Sequence, residues 1–311
     1  MTFDYPADLF AQQLANGVAR GATYALVAVG YTMVYGVLQL INFAHSDIYM
    51  LGAYFTYWPS RWLGYSDENG RLAPVPIFWI AVLCVFAMIC CAALGMLIER
   101  VAYKPLRNVG RLAPLITAIG VSLFLEYGGQ MVFKTKSRQF PEFMDNSTRL
   151  SVGPVALPYT KIVIIVVAAL MMTGLWLFVQ KTRPGRAMRA ISFDMKTASL
   201  MGINVNRTIS LTFALGSVLA AIGGILVGMD LDQINPLMGL RMGLKAFVAA
   251  VLGGIGSIPG AALGGLLLGI CEAVVGGKST TYQEAVAFVI LIVILLVKPS
   301  GLLGKAGREK V

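Results

Sequence analysis

Charged residues are scarce in this sequence. Of its 311 residues, 25 are Lys or Arg and 15 are Asp or Glu, so 13% carry a formal charge, whereas 57% are hydrophobic. Soluble globular domains have about 25% charged residues, and they need them to cover their surface. The charges here also cluster in short stretches and leave long apolar runs between them. This pattern excludes a soluble enzyme and a disordered chain, and it predicts an all-α, polytopic transmembrane helical bundle.

Histidine and cysteine are also rare. The only histidine is His45, which excludes a multi-histidine metal site. The segment at residues 277–279 (GKS) resembles the end of a phosphate-binding loop but lacks the first glycine of that motif. The cysteines lie inside apolar runs, without the spacing of a metal site: Cys84, Cys90, Cys91 and Cys271. We therefore predict no enzyme activity, no catalytic residue, no metal and no cofactor in this chain.

Nine apolar runs are candidates for transmembrane helices, since a span needs about 20 residues. They are residues 9–38, 48–58, 77–98, 112–133, 162–179, 209–229, 246–255, 261–275 and 285–297. The shortest runs have about 10 to 15 residues, and we interpret them as half-helices, re-entrant pieces or tightly turned hairpins. Whether or not these short runs are counted as full helices, the sequence predicts about eight to ten helices.

Basic residues concentrate in three loops. Residues 99–111 carry a net charge of +3, residues 181–207 carry +5 and residues 298–311 carry +3, whereas residues 59–76 are balanced. Positive loops stay on the cytoplasmic side of a membrane, so we predict a cytoplasmic carboxyl terminus, an outer amino terminus and an outer loop at residues 134–161. Topology thereby explains the net charge of +10, and we predict no nucleic-acid partner.

Polar side chains at membrane depth are the best lead to a substrate pathway, because a charge at the bilayer centre costs about 2.5–3.5 kcal/mol. The pathway candidates are Asn42, His45, Ser46, Asp47, Glu126 and Asn235, and Glu272 is a similar case. A second interpretation stays open, in which Asn42 and Asp47 cap helices at a turn and Glu126 pairs with a neighbouring helix.

Two patterns concern helix packing. Asn42 precedes Ala53 as Asn235 precedes Ala246, with the same spacing of 11 residues and an offset of 193, and transporters often contain repeats whose interrupted helices meet near the membrane midplane. GxxxG pairs, which allow helix backbones to approach closely in lipid, occur at residues 17/21, 224/228, 260/264 and 265/269.

Several stretches, taken together and in order, are similar to a known family. They are residues 30–36 (GYTMVYG), 41–45 (INFAH), 99–107 (ERVAYKPLR), 185–190 (GRAMRA), 202–204 (GIN), 234–236 (INP) and 252–260 (LGGIGSIPG). On these residues the chain resembles the LivH-type permease subunits of bacterial branched-chain amino acid ABC importers. The resemblance extends from about Leu9 to Gly304, nearly the whole chain.

The resemblance implies that residues 1–311 form a single ABC-importer permease domain in the bacterial inner membrane, for branched-chain or other hydrophobic amino acids. It implies two ABC ATPase subunits that use the ATP, a second, related permease subunit and a periplasmic substrate-binding protein as partners, with lipid around the chain. Partner ATPases would then drive alternating access, and no cofactor would reside in this chain.

The resemblance also implies that the cytoplasmic loop at residues 181–207 couples the permease to an ATPase. The loop is basic and is predicted to form a short helix after Pro184, although a solvated loop that anchors the topology would carry the same arginines. The coupling candidates are Arg186, Arg189, Asp194, Lys196 and Gly202. Helix breaks are expected at Gly253, Gly254, Gly256, Pro259 and Gly260.

Two residues depart from the family pattern, because Ser46 replaces a usual glycine and Glu126 replaces a neutral polar residue. These departures leave open a permease of the same family for urea, short amides or other amino acids. A different class also stays open: an ion-coupled secondary transporter would use Glu126, Glu272, His45 and Asp47 as a relay.

Overall fold

The structure is a computed structural model, which describes residues 7–40, 42–66, 73–107, 112–144, 148–153 and 155–304. Its helices are α1 (Ala7–Leu38), α2 (Ala44–Trp62), α3 (Ile77–Ile98), α4 (Leu112–Phe133), α5 (Tyr159–Lys181), α6 (Arg183–Phe193), α7 (Met195–Leu200), α8 (Val205–Leu231), α9 (Met238–Gly253), α10 (Ile258–Gly276) and α11 (Thr280–Val297). Helix α3 continues as a π-helical turn (Glu99–Tyr103) and a 3₁₀ turn (Lys104–Leu106). The chain ends at residues 1–6 and 305–311, on which part of the predicted orientation rests, lie outside the described residues.

The predicted all-α bundle is confirmed, because every one of the apolar runs forms a helix. Within the described ranges, seven helices are long and apolar enough to cross a membrane: α1, α3 with its extension, α4, α5, α8, α10 and α11. The interpretation of short runs as half-helices is wrong for α2 and α10, which have 19 residues each, and for α11, which has 18. Glycines and polar residues interrupt the apolar runs there without ending the helices.

Helix α9 is short. Its 16 residues rise about 24 Å, less than the roughly 30 Å of a bilayer core. A turn at residues 254–257 joins it to α10, and the two helices pack side by side. This pair is a tightly turned hairpin, as predicted for one of the short runs.

Four short strands mark one end of the bundle. Strand β1 (Arg138–Gln139) pairs with β4 (Gln233–Ile234), and β2 (Arg149–Val152) pairs with β3 (Val155–Pro158), both antiparallel. The described parts of the loop at residues 134–161 and the α8–α9 connection therefore lie together, at what we call the strand end.

The basic loops lie at the opposite end, which we call the basic end. Arg107, after α3, donates from Nη1 to Oδ1 of Asn206 at the start of α8, at 2.9 Å. Helices α6 and α7 directly precede α8, and the backbone N–H of Leu302 donates to the Leu252 carbonyl at 2.9 Å. The described parts of the three basic loops therefore share one end of the molecule, as the charge pattern predicts.

Helices α1 and α8 form the centre of the bundle. In the apolar window of α1, 83% of the residues are buried, and in that of α8 the fraction is 72%, against 17% in α3 and 6% in α11. Helices α3, α4, α5 and α11 expose large apolar side chains around this centre, as helices that face lipid do. Helices α1 and α8 are therefore buried, and the peripheral helices shield them.

The helices pack as an inverted repeat. Helix α1 packs on α10 as α8 packs on α3, and α9 packs on α1 as α2 packs on α8. Asn42 lies two residues before α2, and Asn235 lies three residues before α9. The first turns of these two helices meet, because a Cβ on Gly239 would lie 2.6 Å from the backbone oxygen of Ser46. The spacing in the sequence therefore marks two equivalent helix interruptions that face each other.

Glycines allow α1 and α10 to cross in backbone contact. A Cβ on Gly17 would lie 2.8 Å from the Ile270 Cα atom, and one on Gly269 would lie 2.8 Å from the Gly17 carbonyl oxygen. Gly21 and Gly265 approach the facing helix in the same way. The close packing predicted from GxxxG pairs is thus confirmed here, and no side chain larger than hydrogen fits without a shift of the helices.

We expect Gly269→Ala to destabilise the protein by about 1–3 kcal/mol, because the added methyl group overpacks the helix crossing. Gly174→Ala is the matched control, since nothing lies within 4 Å of a Cβ added at Gly174 on α5. The control should be neutral or stabilise by up to about 1 kcal/mol through helix propensity. Thermal unfolding in detergent, followed by circular dichroism, measures both, and equal stability of the two variants would contradict the packing argument.

Candidate functional site

The predicted coupling loop contains two capped helices. Thr182 accepts a hydrogen bond at Oγ1 from the Gly185 N–H, at 3.2 Å, and Pro184 occupies the first turn of α6. Asp194 caps α7, since its Oδ1 accepts from the Lys196 N–H at 2.8 Å. The short helix predicted after Pro184 is present, and Asp194 stabilises the helix that follows it.

The outer face of α6 and α7 combines positive charge with apolar side chains. Arg186 and Lys196 are exposed, whereas Arg189 is half-buried and bonds to the Gln180 side chain. Gly202, which ends this segment, has a φ angle of +81°, where glycine is favoured. Three large apolar side chains are exposed here: Phe193 (90%), Leu200 (87%) and Met201 (79%). Sequence reasoning missed Phe193 and Met201.

Helix α6 adjoins the turn between α9 and α10. The two elements line a cavity of about 80 Å³ together with the final turns of α1. Arg189 and Met188 line it from α6, Gly36 from α1, and Gly256 and Ile258 from the turn. Helix α6, the hairpin turn and the end of the central helix α1 thus enclose one cavity.

All five expected helix breaks lie in or beside this turn: Gly253, Gly254, Gly256, Pro259 and Gly260. Gly254 has a φ angle of +105° and Gly256 one of +94°, a region that favours glycine. Ser257 caps α10 by accepting from the Gly260 N–H at 3.2 Å. A Cβ on Gly254 would meet the backbone of Gly304, so the turn also holds the segment after α11.

The motif at residues 99–107 forms a buried polar cluster at the basic end. The Glu99 carboxylate accepts from the Arg107 guanidinium and, at 2.5 Å, from Ser210 Oγ on α8. Burial lowers the pKa of the Arg107 guanidinium, while the neighbouring Glu99 carboxylate acts in the opposite direction. Tyr103 donates to Oδ1 of Asn42 at 2.8 Å. The motif thus joins α3 to α8 and to the residues that precede α2.

The pathway candidates at the start of α2 are buried among neighbouring helices. No side chain caps α2; Asn42 instead accepts from Tyr103, and Asp47 Oδ2 accepts from Ser122 Oγ on α4 at 2.5 Å. Glu126 lies one turn further along α4 and interacts electrostatically with Asp47. The alternative in which Asn42 and Asp47 cap helices is therefore wrong, because both bond to side chains of other helices.

His45 and Ser46 lie where α2 meets α1 and α9. The Tyr31 and His45 rings meet edge to face at 4.7 Å, and Nε2 of His45 would lie 2.5 Å from a Cβ on Gly30. A Cβ on Gly243 of α9 would lie 2.7 Å from Ser46 Oγ. The structure thus brings Asn42, His45, Ser46, Asp47 and Glu126 together around the first turns of α2.

Asn235 lies elsewhere, in a cavity that we call the strand-end cavity. The cavity has a volume of about 200 Å³. Its walls come from α1, α2, α8, α9 and α11, and it combines charged with apolar side chains. The lining residues are Arg20, Thr23, Tyr24, Tyr49, Val227, Asp230, Leu231, Asn235, Met238, Arg241, Met242, Lys245 and Glu284.

One lining residue of this cavity, Lys245, forms an ion pair that joins α9 to α10. The Lys245 Nζ atom lies 2.9 Å from Oε1 of Glu272 and donates to Oε2 at 3.1 Å. Tyr24 on α1 donates to the same Oε2 at 2.7 Å. Glu272 is fully buried, so its charge is tolerated through these partners. This network links three helices of the inverted repeat.

Sequence reasoning missed the cationic residues of the cavity. Arg241 and Lys245 are four residues apart on α9, which places them on one helix face. The predicted apolar run begins only at residue 246, after both residues, so the sequence alone does not place them in a helix. Arg20 lies inside the first apolar run, where a charge indicates a functional position. That charge was the signal that could have identified the cavity.

We expect Lys245→Met to destabilise the protein by about 3 to 5 kcal/mol, because Glu272 is left as a buried charge without a cation. The double variant Lys245→Met with Glu272→Gln removes both charges and should recover most of that loss. Thermal unfolding of the purified variants measures both effects. A single variant as stable as the parent would show that the ion pair contributes little.

Comparison with known proteins identifies the family. Residues 13–296 match the family described as branched-chain amino acid transport system / permease component. The chain is 46% identical to BraD, a high-affinity branched-chain amino acid transport system permease protein of Pseudomonas aeruginosa, over 97% of this chain and 98% of BraD. It is 43% identical to the permease LivH of Escherichia coli strain K12, over 97% of this chain and 98% of LivH.

A weaker similarity reaches a permease for another substrate. The chain is 28% identical to the ribose import permease RbsC of Escherichia coli strain K12, over 60% of this chain and 61% of RbsC. No solved structure matches the chain. The seven membrane-competent helices and the near full-length similarity to transport permeases agree. The chain therefore belongs to the family of permease components of branched-chain amino acid transport systems, and it is a multi-pass protein of the inner membrane.

Proposed function

We propose that this chain is the membrane-spanning permease subunit of an ATP-driven importer for branched-chain amino acids. The observation that carries the proposal is the 46% identity to BraD across 97% of the chain. The conduit itself needs no catalytic group, and Asn42 and Asp47 at the start of α2 are held by hydrogen bonds within the bundle. Energy is then supplied by partner subunits that bind ATP.

The proposed partners are two ABC ATPase subunits, a second, related permease subunit and a periplasmic substrate-binding protein. An ATPase docks on α6 and α7, where Arg186 is exposed beside the uncovered side chains of Phe193, Leu200 and Met201. Exposed apolar side chains of this size on a polar surface support a protein-docking role. The basic end then faces the cytoplasm, and so does the carboxyl terminus.

The contacts of α6 suggest how ATP drives alternating access. When the ATPases close, α6 is displaced against the cavity that it shares with the α9–α10 turn. The Gly254 and Gly256 turn absorbs the change, since both residues have positive φ angles. The movement reaches Ser46 through α9, because Gly239 and Gly243 contact it. The packed junction at the start of α2 is thus the part of the pathway that opens.

We expect cells that lack their own importer to take up L-leucine when this chain is produced with its ATPases, second permease and binding protein. Uptake should continue when a protonophore collapses the membrane potential while ATP is maintained, because ATP supplies the energy. Uptake of radiolabelled leucine measures this, with cells that lack only this chain as control. Uptake that stops when the membrane potential is collapsed would instead indicate an ion-coupled transporter. Uptake of urea or short amides without uptake of leucine would indicate another substrate.

We expect Leu200→Asp to lower leucine uptake more than tenfold and to abolish co-purification of the ATPase subunits, since it places a charge in the proposed apolar contact. The side chain is 87% exposed, so the fold should be unaffected. Leu150→Asp at the strand end is the matched control and should retain the ATPases. Normal co-purification with Leu200→Asp would show that the ATPases dock elsewhere.

A further inference from the structure

We propose that the strand-end cavity binds the transported amino acid as a zwitterion, with its apolar side chain among the methionines of α9. This assignment rests on the proposed function, because it takes the substrate class from it. The cavity adjoins the place where the two interrupted helices meet, since Tyr49 lines it from α2 and Met238 lines it from α9. Transporters of inverted-repeat architecture bind substrate beside such interruptions.

The charges of the cavity are balanced in the way that a zwitterion requires. Lys245 is engaged with Glu272. In the described structure, no ion pair joins Arg20 or Arg241 to Asp230 or Glu284, although all four line the cavity. Two cations are thus available for a carboxylate, and two anions are available for an ammonium group.

The four charged groups are not equally placed. Arg20 and Asp230 are half-buried on α1 and α8, whereas Arg241 and Glu284 are exposed. Arg20 and Lys161 are the cations that act electrostatically on Asp230, and Lys161 is bonded to Asn16 at 2.7 Å. Arg20 and Asp230 therefore interact more strongly with a carboxylate or an ammonium group than the exposed pair does, because screening by water is weaker where they lie.

The apolar part of the lining suits an aliphatic side chain. Val227 and Leu231 contribute from α8, and Met238 and Met242 contribute from α9. Methionine is unbranched and adapts to ligands of different shape. A few charges within an apolar lining are typical of small-molecule sites.

Access to the cavity comes from the strand end. Asn235 and Arg241 also line a second cavity of about 240 Å³, whose other walls include Gln130 and Ser137 beside the outer loop. Arg241 therefore lies between the two cavities, in a position to meet the carboxylate as it arrives. The same face carries the loop at residues 134–161, where a binding protein would release its amino acid.

Uptake by the complete importer tests the charged residues. Arg241→Gln and Asp230→Asn should each lower the initial rate of leucine uptake at least tenfold, with unchanged amounts of importer in the membrane. Lys136→Gln and Asp232→Asn are matched controls, because neither residue lines the strand-end cavity or the second cavity, and they should stay within twofold of the parent. Cavity variants that also stay within twofold would overturn the assignment, while leucine uptake by the parent would leave the proposed function intact.

A cysteine-protection measurement tests binding without reference to uptake. Leu231→Cys places a thiol at an exposed lining position, and Leu240→Cys places one on α9 at an exposed position away from the cavities. L-leucine should slow maleimide modification of Leu231→Cys at least threefold, in the importer in nanodiscs, and should leave Leu240→Cys unaffected. Neither 4-methylpentanoate nor 3-methylbutylamine, which each lack one charge, should protect it.

The two measurements separate the possible failures. Absence of protection by L-leucine, or equal protection by the two singly charged analogues, would overturn the zwitterion site even if uptake is normal. Protection by leucine in an importer that takes up no leucine would support the site and contradict the proposed function. If a variant of a charged residue does not accumulate in the membrane, the protection measurement on Leu231→Cys tests the proposed site instead, since that substitution leaves all four charged residues in place.

Discussion

The structure depends on one constraint: helices in lipid gain little from burying apolar surface against each other, so backbone approach decides which helices pack. At the α1–α10 crossing, glycines remove every side chain that would separate the two backbones. This contact holds α10 against the central helix, and the short turn at Gly254 then places α9 beside α1 as well. The positions of Lys245 and Arg241 in the strand-end cavity follow from that arrangement.

Polar side chains inside the bundle further determine which helix faces lie against each other, because each of them needs a partner on another helix. Glu99 joins α3 to α8, Asp47 joins α2 to α4, and Glu272 joins α10 to α9 and α1. These contacts connect the basic end, where α6 adjoins the hairpin turn, with the junction at the start of α2. A permease that is driven by partner subunits needs contacts that connect its two ends, since the partners act at one end and the substrate enters at the other.

The sequence predicted where the helices lie, because apolar runs and loop charges are local properties, but α2, α9 and α11 begin several residues before the predicted runs. It also predicted close packing at the GxxxG pairs, and the repeat around Asn42 and Asn235. It did not predict that Tyr103 bonds to Asn42, or that Lys245 pairs with Glu272, because these contacts join residues far apart in the chain. The sequence also did not indicate that Arg241 lies in a helix. A charged residue that precedes an apolar run is typical of a loop, whereas in the structure α9 already begins at Met238.

In the proposed mechanism, this chain is a conduit that partner ATPases move, and it performs no uphill transport by itself. Reconstitution into sealed vesicles tests this claim most directly, by measuring leucine accumulated against a gradient with the chain alone and with its partner subunits. We expect accumulation only when the ATPases, the second permease, the binding protein and ATP are all present. Accumulation by the purified chain alone, driven by an ion gradient, would contradict it.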